Sequence, residues 1–399
     1  MSTFKLDTLA VDIAIELDNS LPVLLNGSTD LNNSFTSRSG VTISMRKTDF
    51  GADLTSGADI TSADGSVIEN TVSITLSADS AKLSVSQLEE DYAAGKGGQT
   101  VKQRVVKMGS QIQKKAINAL AMNAGIAIIQ GTADSASYTD LRAAIANIEN
   151  ARANSEVFAG MNPIQASQVR NSGVSFFQAD LSGTFGDGSM GKIDGVKAFK
   201  TPDFGTLTTG TRVLTGALTV TTTINTDGAT TLATTAATSL IGTVKKGEII
   251  FATGITGVDV FKDPSSAPFA FVVQADVSCS GTANSFTVQP LYFTARDPNK
   301  NVGAASIPSG TVLTLGMTAS TKYNRGIIWA KPAFEYVNRP MAKIKGWDNM
   351  VVTTLKGLTF LATEGGDFNT GINSIGWRLL TGFAVSYPEL VAVYYSKQS

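Results

Sequence analysis

VTISMR (Val41–Arg46) and SVIENTVSITLSA (Ser66–Ala78) alternate apolar or β-branched residues with polar ones, and the stretch between them, DFGADLTSGADITSADGS (Asp49–Ser66), is built largely of Asp, Gly, Ser, Thr and Ala. Period-two alternation over short runs predicts strands. The segment therefore reads as a long two-stranded ribbon with a flexible tip. An isolated ribbon is marginal in water, so this one needs something to lie against, and a neighbouring subunit is a candidate.

On the N-terminal side, Leu6, Leu9, Ala10, Ile13, Ala14 and Leu17 share one helical face, ended by Asp18-Asn19-Ser20 and Pro22. The polar run Asn26–Gly40 has too little apolar content to pack alone and reads as an extended arm. On the C-terminal side the period changes again. Val101, Val105, Met108, Ile112, Ala116, Ala119 and Leu120 lie on one face of a long helix spanning Gln99–Gln130, with a kink at Gly109 or an end near Gly125 as alternatives. Lys102, Arg104, Lys107, Lys114 and Lys115 fall mostly off that face and read as a solvated or salt-bridged side of the helix. Tyr138–Ala153, with Leu141, Ala144, Ile145 and Ile148, predicts a second, shorter helix.

Between Phe204 and Tyr323 helix formers give way to strand formers. Threonine crowds Thr206–Thr243, and Asp227 is the only charge between Arg212 and Lys245. RVLTGALTVTTTI, GEIIFATGI, FAFVVQADV, SFTVQPLYF and TVLTLGM are separated by turn residues, as in a compact all-β module. Each doubling of loop length costs only about 0.6 kcal/mol of closure entropy, so such a module can sit inside another domain. After it, GIIWAKPAFEYVNRPM, LTFLATEGGDF and SIGWRLLTGFAVSYPELVAVYY resume a mixed strand and helix pattern, with Trp329, Trp347 and Trp377 reading as core or subunit contacts.

Composition narrows the chemistry. The 399 residues carry 32 basic and 33 acidic side chains, a formal charge of -1, which gives no general electrostatic reason to bind nucleic acid or an anionic membrane. Histidine is absent, which removes Ser-His and Cys-His catalysis and histidine metal ligands. Cys279 is the only cysteine, so no intrachain disulfide or cysteine-built zinc site can form, and it reads as a small buried apolar residue. The N-terminus places acidic residues within its apolar stretch and does not read as a secretory signal, and no apolar run is long enough for a membrane span.

Three motifs fall short of a chemical site. Gly186-Asp187-Gly188-Ser189-Met190-Gly191-Lys192 matches the start of a P-loop, but Ile193 stands where a Ser or Thr should hold Mg²⁺ and no clear strand precedes it. Asp49, Asp53, Asp59 and Asp64 lack the order of an EF-hand loop. Glu89-Glu90-Asp91 are adjacent and do not face a common point. No enzyme is expected and no cofactor is implied.

The order of parts (amphipathic helix, arm, long ribbon, long helix, interrupted α+β domain) resembles that of tailed-bacteriophage major capsid proteins. More narrowly it looks like the P22 coat-like branch of the HK97-like fold, which carries an inserted β domain. TLAVD at Thr8–Asp12, VFAGMNPIQ from Val157, FKTP from Phe199, VKKGEIIFATG from Val244 and GIIWAKPAFEYVNRPM from Gly326 carry the likeness. The resemblance implies an α+β HK97-like capsid fold. Its parts are an N-arm (1–40), an E-loop (41–90), a spine helix and P-domain (91–154), a first part of the A-domain (155–204), an inserted β-barrel-like domain (205–325) and an A/P-domain return (326–399).

The resemblance further implies a non-enzymatic virion protein. Several hundred copies would form an icosahedral shell around packaged double-stranded DNA without sequence-specific binding. Assembly would take place in the host bacterial cytoplasm, with a scaffolding protein and a portal protein as partners and no membrane. Intersubunit contacts are then expected at Arg46, Lys47, Asp49, Asp53, Asp59, Asp64 and Asp227. Related proteins use charged residues on an inserted-domain loop across a local two-fold, whereas the matching stretch, about Thr222–Thr231, offers only Asp227. A surface or S-layer-like β-rich structural or adhesion protein is the alternative, favoured by the threonine-rich module but lacking an export signal.

Overall fold

The computed structural model describes residues 14, 21–23, 26–29, 42–48, 66–86, 97–130, 136–173, 192–193, 195–354, 358–367 and 372–398. Strands dominate, at 52% against 18% helix, so the expected mixture is mostly β. Of the N-terminal helix and arm, only Ala14 and the short stretches at 21–23 and 26–29 are among the described residues. Asp49, Asp53, Asp59, Asp64, Glu89-Glu90-Asp91 and most of the glycine-rich motif lie outside them. Two compact units divide the chain: Met1–Ser44, Ser73–Ile117 and Glu335–Ala384 form one, and Met45–Val72, Asn118–Phe334 and Val385–Ser399 the other.

The first unit holds a five-stranded antiparallel sheet. The order is β17 (Phe334–Pro340), β20 (Ile372–Val385), β19 (Thr359–Asp367), β18 (Asp348–Thr353), and β3 (Ser77–Ser86) also pairs with β20. Trp377, Phe360, Leu361 and Leu379 are fully buried in it. Most of the long helix α1 (Gly97–Met122) belongs here. Val105, Met108, Ile112 and Ala116 form its buried stripe, while Arg104, Lys107, Lys114 and Lys115 are exposed. Lys115 pairs with Asp79, which also accepts a 2.7 Å hydrogen bond from Thr381 Oγ1. Ser28 bridges to Glu335, and its carbonyl accepts from Tyr336 N at 2.9 Å, so this part of the N-terminal stretch is laid beside β17.

Sequence periodicity carries α1 to Gln130; the structure ends it at Met122. Gly125 passes so close to the chain that a Cβ there would lie 2.8 Å from Pro388 O, and Gly125 N donates to that carbonyl at 2.9 Å. The apolar residues beyond form strand β4 (Ile126–Ile129), which pairs in parallel with β21 (Val391–Lys397). Four apolar residues fit either period, and strand pairing decides between them. The C-terminal third differs from expectation as well. From Lys322 onward the regular elements among the described residues are strands and two three-residue 3₁₀ turns, Lys331–Ala333 and Pro388–Leu390.

The second unit contains two seven-stranded sheets. One is mixed, in the order β4, β21, β16 (Lys322–Ala330), β5 (Val157–Met161), β7 (Val196–Lys200), β6 (Lys192–Ile193), with β8 (Thr206–Thr208) also on β16. Helices α2 (Tyr138–Asn150) and α3 (Pro163–Gly173) pack on it. Ser137 caps α2 by accepting from Asp140 N at 3.1 Å. Trp329 sits in the core between Phe158 and Phe199, with ring centroids 5.9 and 5.8 Å away. Gly160 permits that packing, since a Cβ there would lie 2.2 Å from Phe204 Cζ.

The other sheet lies wholly between β8 and β16. Its path runs β13 (Pro264–Val272), β12 (Ile249–Val258), β15 (Val312–Leu315), β10 (Leu218–Val220), β11 (Ala229–Val244), β14 (Val277–Leu291), with β9 (Val213–Thr215) on β11. The two ends of the path meet. Val273 bridges to Val288, Gln274 N donates to Thr287 O at 2.7 Å, and Gln289 accepts from Val272 N and donates to Ala270 O. A six-stranded barrel results, filled by Leu232, Leu240, Phe269, Phe271, Phe286 and their neighbours. Cys279 is buried in this cluster, and burial pushes its thiol pKa up. Beneath the barrel Arg212 pairs with Glu248, both buried. Glu248 also accepts from Gly210 N and Lys245 N, and Arg212 donates to Met317 O.

Candidate interaction site at the ribbon

Among the described residues, strands β1 (Thr42–Thr48) and β2 (Glu69–Thr75) pair only with each other. On one face Thr42 meets Thr75 and Ser44 meets Ser73 at 3.2 Å each, and Arg46 lies 3.5 Å from Glu69. Every described residue of this face is exposed. The alternate face is half-buried and closes over only at Lys47 and Ile74. This is the ribbon that the alternation of Val41–Arg46 and Ser66–Ala78 predicts.

Where the strands approach the tip, their own chain holds them. Lys47, only 4% exposed, donates to Ser386 O, and its ammonium sits 4.4 Å from the centre of the Tyr387 ring. Beside it Lys262 donates to Glu389 Oε1 at 2.6 Å, both side chains being buried. The pKa of Lys47 is lowered to about 8, chiefly by burial and with the help of Lys262, against the pull of Glu389 and Asp297. On β2, Asn70 Nδ2 donates to both oxygens of Asp297, at 2.9 and 3.1 Å, and Arg296 donates to Ser66 O at 2.8 Å. Arg296 and Lys262 are two of the four described non-glycine residues with positive φ, 67° and 72°. Such backbone is held only where its surroundings over-determine it.

The seven residues proposed as intersubunit contacts fall into three groups. Asp49, Asp53, Asp59 and Asp64 lie outside the described residues. Arg46 stands on the open face with a side chain 77% exposed. Lys47 is buried, and Asp227, though exposed, is bonded within its own chain. Asp227 accepts from Phe293 N at 2.6 Å and from Thr294, and these bonds outweigh the effect of burial to hold its pKa below the usual carboxylate value. Sequence reading missed Asn70, Lys262, Arg296, Asp297, Tyr387 and Glu389. They come from widely separated segments, and no spacing announces them.

Among the described residues no group of three or more Asp, Glu or Cys side chains could hold a metal ion, and no helix is long and apolar enough to cross a membrane. Val67 and Ile68, at the tipward end of the ribbon, are exposed by 68% and 36%. A hollow of about 560 Å³ along α2 is lined by Tyr138, Arg142, Ile145 and Glu149 and brings together no nucleophile with a base.

No family model and no curated protein sequence matches the chain. Solved structures do. The capsid of Ralstonia phage GP4 is 9% identical over 93% of this chain and 87% of that one, with a TM-score of 0.47. The acid-stable capsid of Helicobacter pylori bacteriophage KHP30 is 10% identical over 95% and 91%, also at 0.47. A virus-like particle from Pyrococcus furiosus is 9% identical over 97% and 98%, at 0.44. Likeness of this degree assigns neither a family nor a function to the chain.

Proposed function

We propose that this chain is the major capsid subunit of a tailed bacteriophage, assembling in several hundred copies into an icosahedral shell around double-stranded DNA. The observation that carries the proposal is the ribbon, whose strands pair only with each other among the described residues and leave one face exposed. Unsatisfied strand edges are a standing template for another chain. Closed symmetry would supply each ribbon with the same neighbour, so individually modest contacts add up over the shell.

In this proposal the parts keep the division given by the family resemblance, with an arm to residue 40, an E-loop over 41–90, a spine helix within 91–154, and an A-domain interrupted over 205–325. Support for the P22 coat-like branch comes from the barrel between β8 and β16. Arg46 and the tip aspartates are the contact residues, while Lys47 and Asp227 act within the subunit. A scaffolding protein and a portal are the assembly partners, the host cytoplasm is the place of assembly, and the virion is the destination.

Expression with a matching scaffolding protein should give uniform closed particles in electron micrographs. Persistent monomers would refute the proposal, and open sheets would favour the planar surface-layer alternative. Deleting Asp49–Asp64 should leave a folded monomer that no longer assembles. Normal particles from that variant would remove the ribbon from the interface.

A further inference from the structure

The two faces of the mixed sheet are distinguishable from its register. Odd-numbered residues face the barrel, since Ile129 Cδ1 lies 2.6 Å from where a Cβ on Gly316 would sit and Tyr395 Oη donates to Gly247 O. Even-numbered residues face the helices, since Gln165 of α3 lies 2.7 Å from a Cβ built on Gly326. On that helix-facing side, Asn324 of β16 stands directly opposite Ser396 of β21. The parallel register Tyr395↔Ile129, continued by the 3.0 Å bond from Gln130 N to Tyr395 O, places Gln130 beside Ser396.

Asn324, Ser396 and Gln165 are fully buried, and Gln130 is 5% exposed. Yet Asn324 Oδ1 and Nδ2, Ser396 Oγ, Gln130 Oε1, Gln165 Oε1 and, just past the end of β21, Gln398 Oε1 have no hydrogen-bond partner among the described residues. Paired side chains on neighbouring strands stand about 5 Å apart. Asn324, Ser396 and Gln130 therefore form one polar row, with Gln165 over Gly326, two residues along β16 from Asn324, and Gln398 two residues beyond Ser396. An unmet buried polar group costs about 1–3 kcal/mol, and six along one face of the sheet are too many for a stable fold to leave dry.

We propose that this patch is an internal hydration site holding a small cluster of ordered water molecules. The atoms fit water in both directions. Four amide oxygens need donors, Asn324 Nδ2 needs an acceptor, and the Ser396 hydroxyl can serve either way. The same oxygens could surround an alkali cation, but an amide N–H₂ among them and no carboxylate in the set disfavour positive charge.

Three measurements on the purified full chain test this. Asn324→Leu should lower the folded-to-unfolded ratio about tenfold in urea titrations, because the remaining oxygens lose their bridging partner. A gain in stability would mean the patch is dry and would overturn the proposal. A map better than about 2 Å should show at least two solvent peaks within hydrogen-bond distance, about 2.7–3.2 Å, of these atoms, and an empty patch would overturn it even if the variant fails to fold. Exchanging sodium for lithium, potassium or choline should leave the melting temperature of the wild type unchanged. A saturable, cation-specific rise would identify a bound ion in place of water.

Discussion

Replacing Lys47 by methionine tests whether the ribbon is anchored on its own subunit. Methionine keeps the length of the stem and removes the ammonium buried against Ser386 and Tyr387. In the folded chain burial takes the Lys47 pKa from 10.5 to about 8, so between these values the unfolded chain binds more protons than the folded one. Stability attributable to this residue must therefore rise with pH across that window. Below about pH 8 the full penalty of the buried charge is present, and above about pH 10.5 both states are neutral and the penalty is gone. At about 1.4 kcal/mol per pH unit the whole change is about 3 kcal/mol. The ring of Tyr387, 4.4 Å away, favours the cation and trims that figure. The assay is urea unfolding of wild type and K47M from pH 7 to 10.5, taking the difference so that every other titrating group cancels. The wild type should gain about 2–3 kcal/mol on the variant as pH rises. A difference that stays flat, or falls, would refute the buried placement of Lys47 and with it the anchor.

Other outcomes follow from the packing. Glu248→Gln strips the charge partner from buried Arg212 and should cost about 3–5 kcal/mol, read from the urea midpoint. Gln289→Met deletes both side-chain bonds that close the barrel between Ala270 and Val272; hydrogen exchange at Val272 should accelerate at least about tenfold while distant strands stay protected. Gly160→Ala forces a methyl into Phe204, 2.2 Å away, and should cost at least about 2 kcal/mol by overpacking, measured as a lowered melting temperature.

Legibility of the fold in the sequence tracked how local each determinant is. The ribbon, α2 and most of α1 follow from periodicity within a dozen residues, and the exposed lysines of α1 fall where the pattern puts them. The barrel is visible as a change in composition, yet its longest strand, Ala229–Val244, hides in a threonine-rich run with weak alternation. Ile126–Ile129 reads equally well as the end of a helix, because only the distant pairing with β21 makes it a strand. The anchor is invisible for the same reason. Lys47, Lys262 and Glu389 carry no motif, and the three are brought together from segments far apart in the chain.

One junction has an architectural consequence. Thr209 Oγ1 donates to Thr318 O at 2.7 Å and accepts from Thr321 N at 2.9 Å, so the points where the chain departs for the barrel and comes back are fastened within a single side chain's reach. A guest domain whose termini lie equally close could be spliced between them. The cost would fall on the ribbon, which would lose its bonds to Arg296 and Asp297, on Glu389, which would lose Lys262, and on Tyr323 and Tyr395, whose rings meet at 6.4 Å on the face the barrel occupies. Any substitute must bring an apolar underside to cover them.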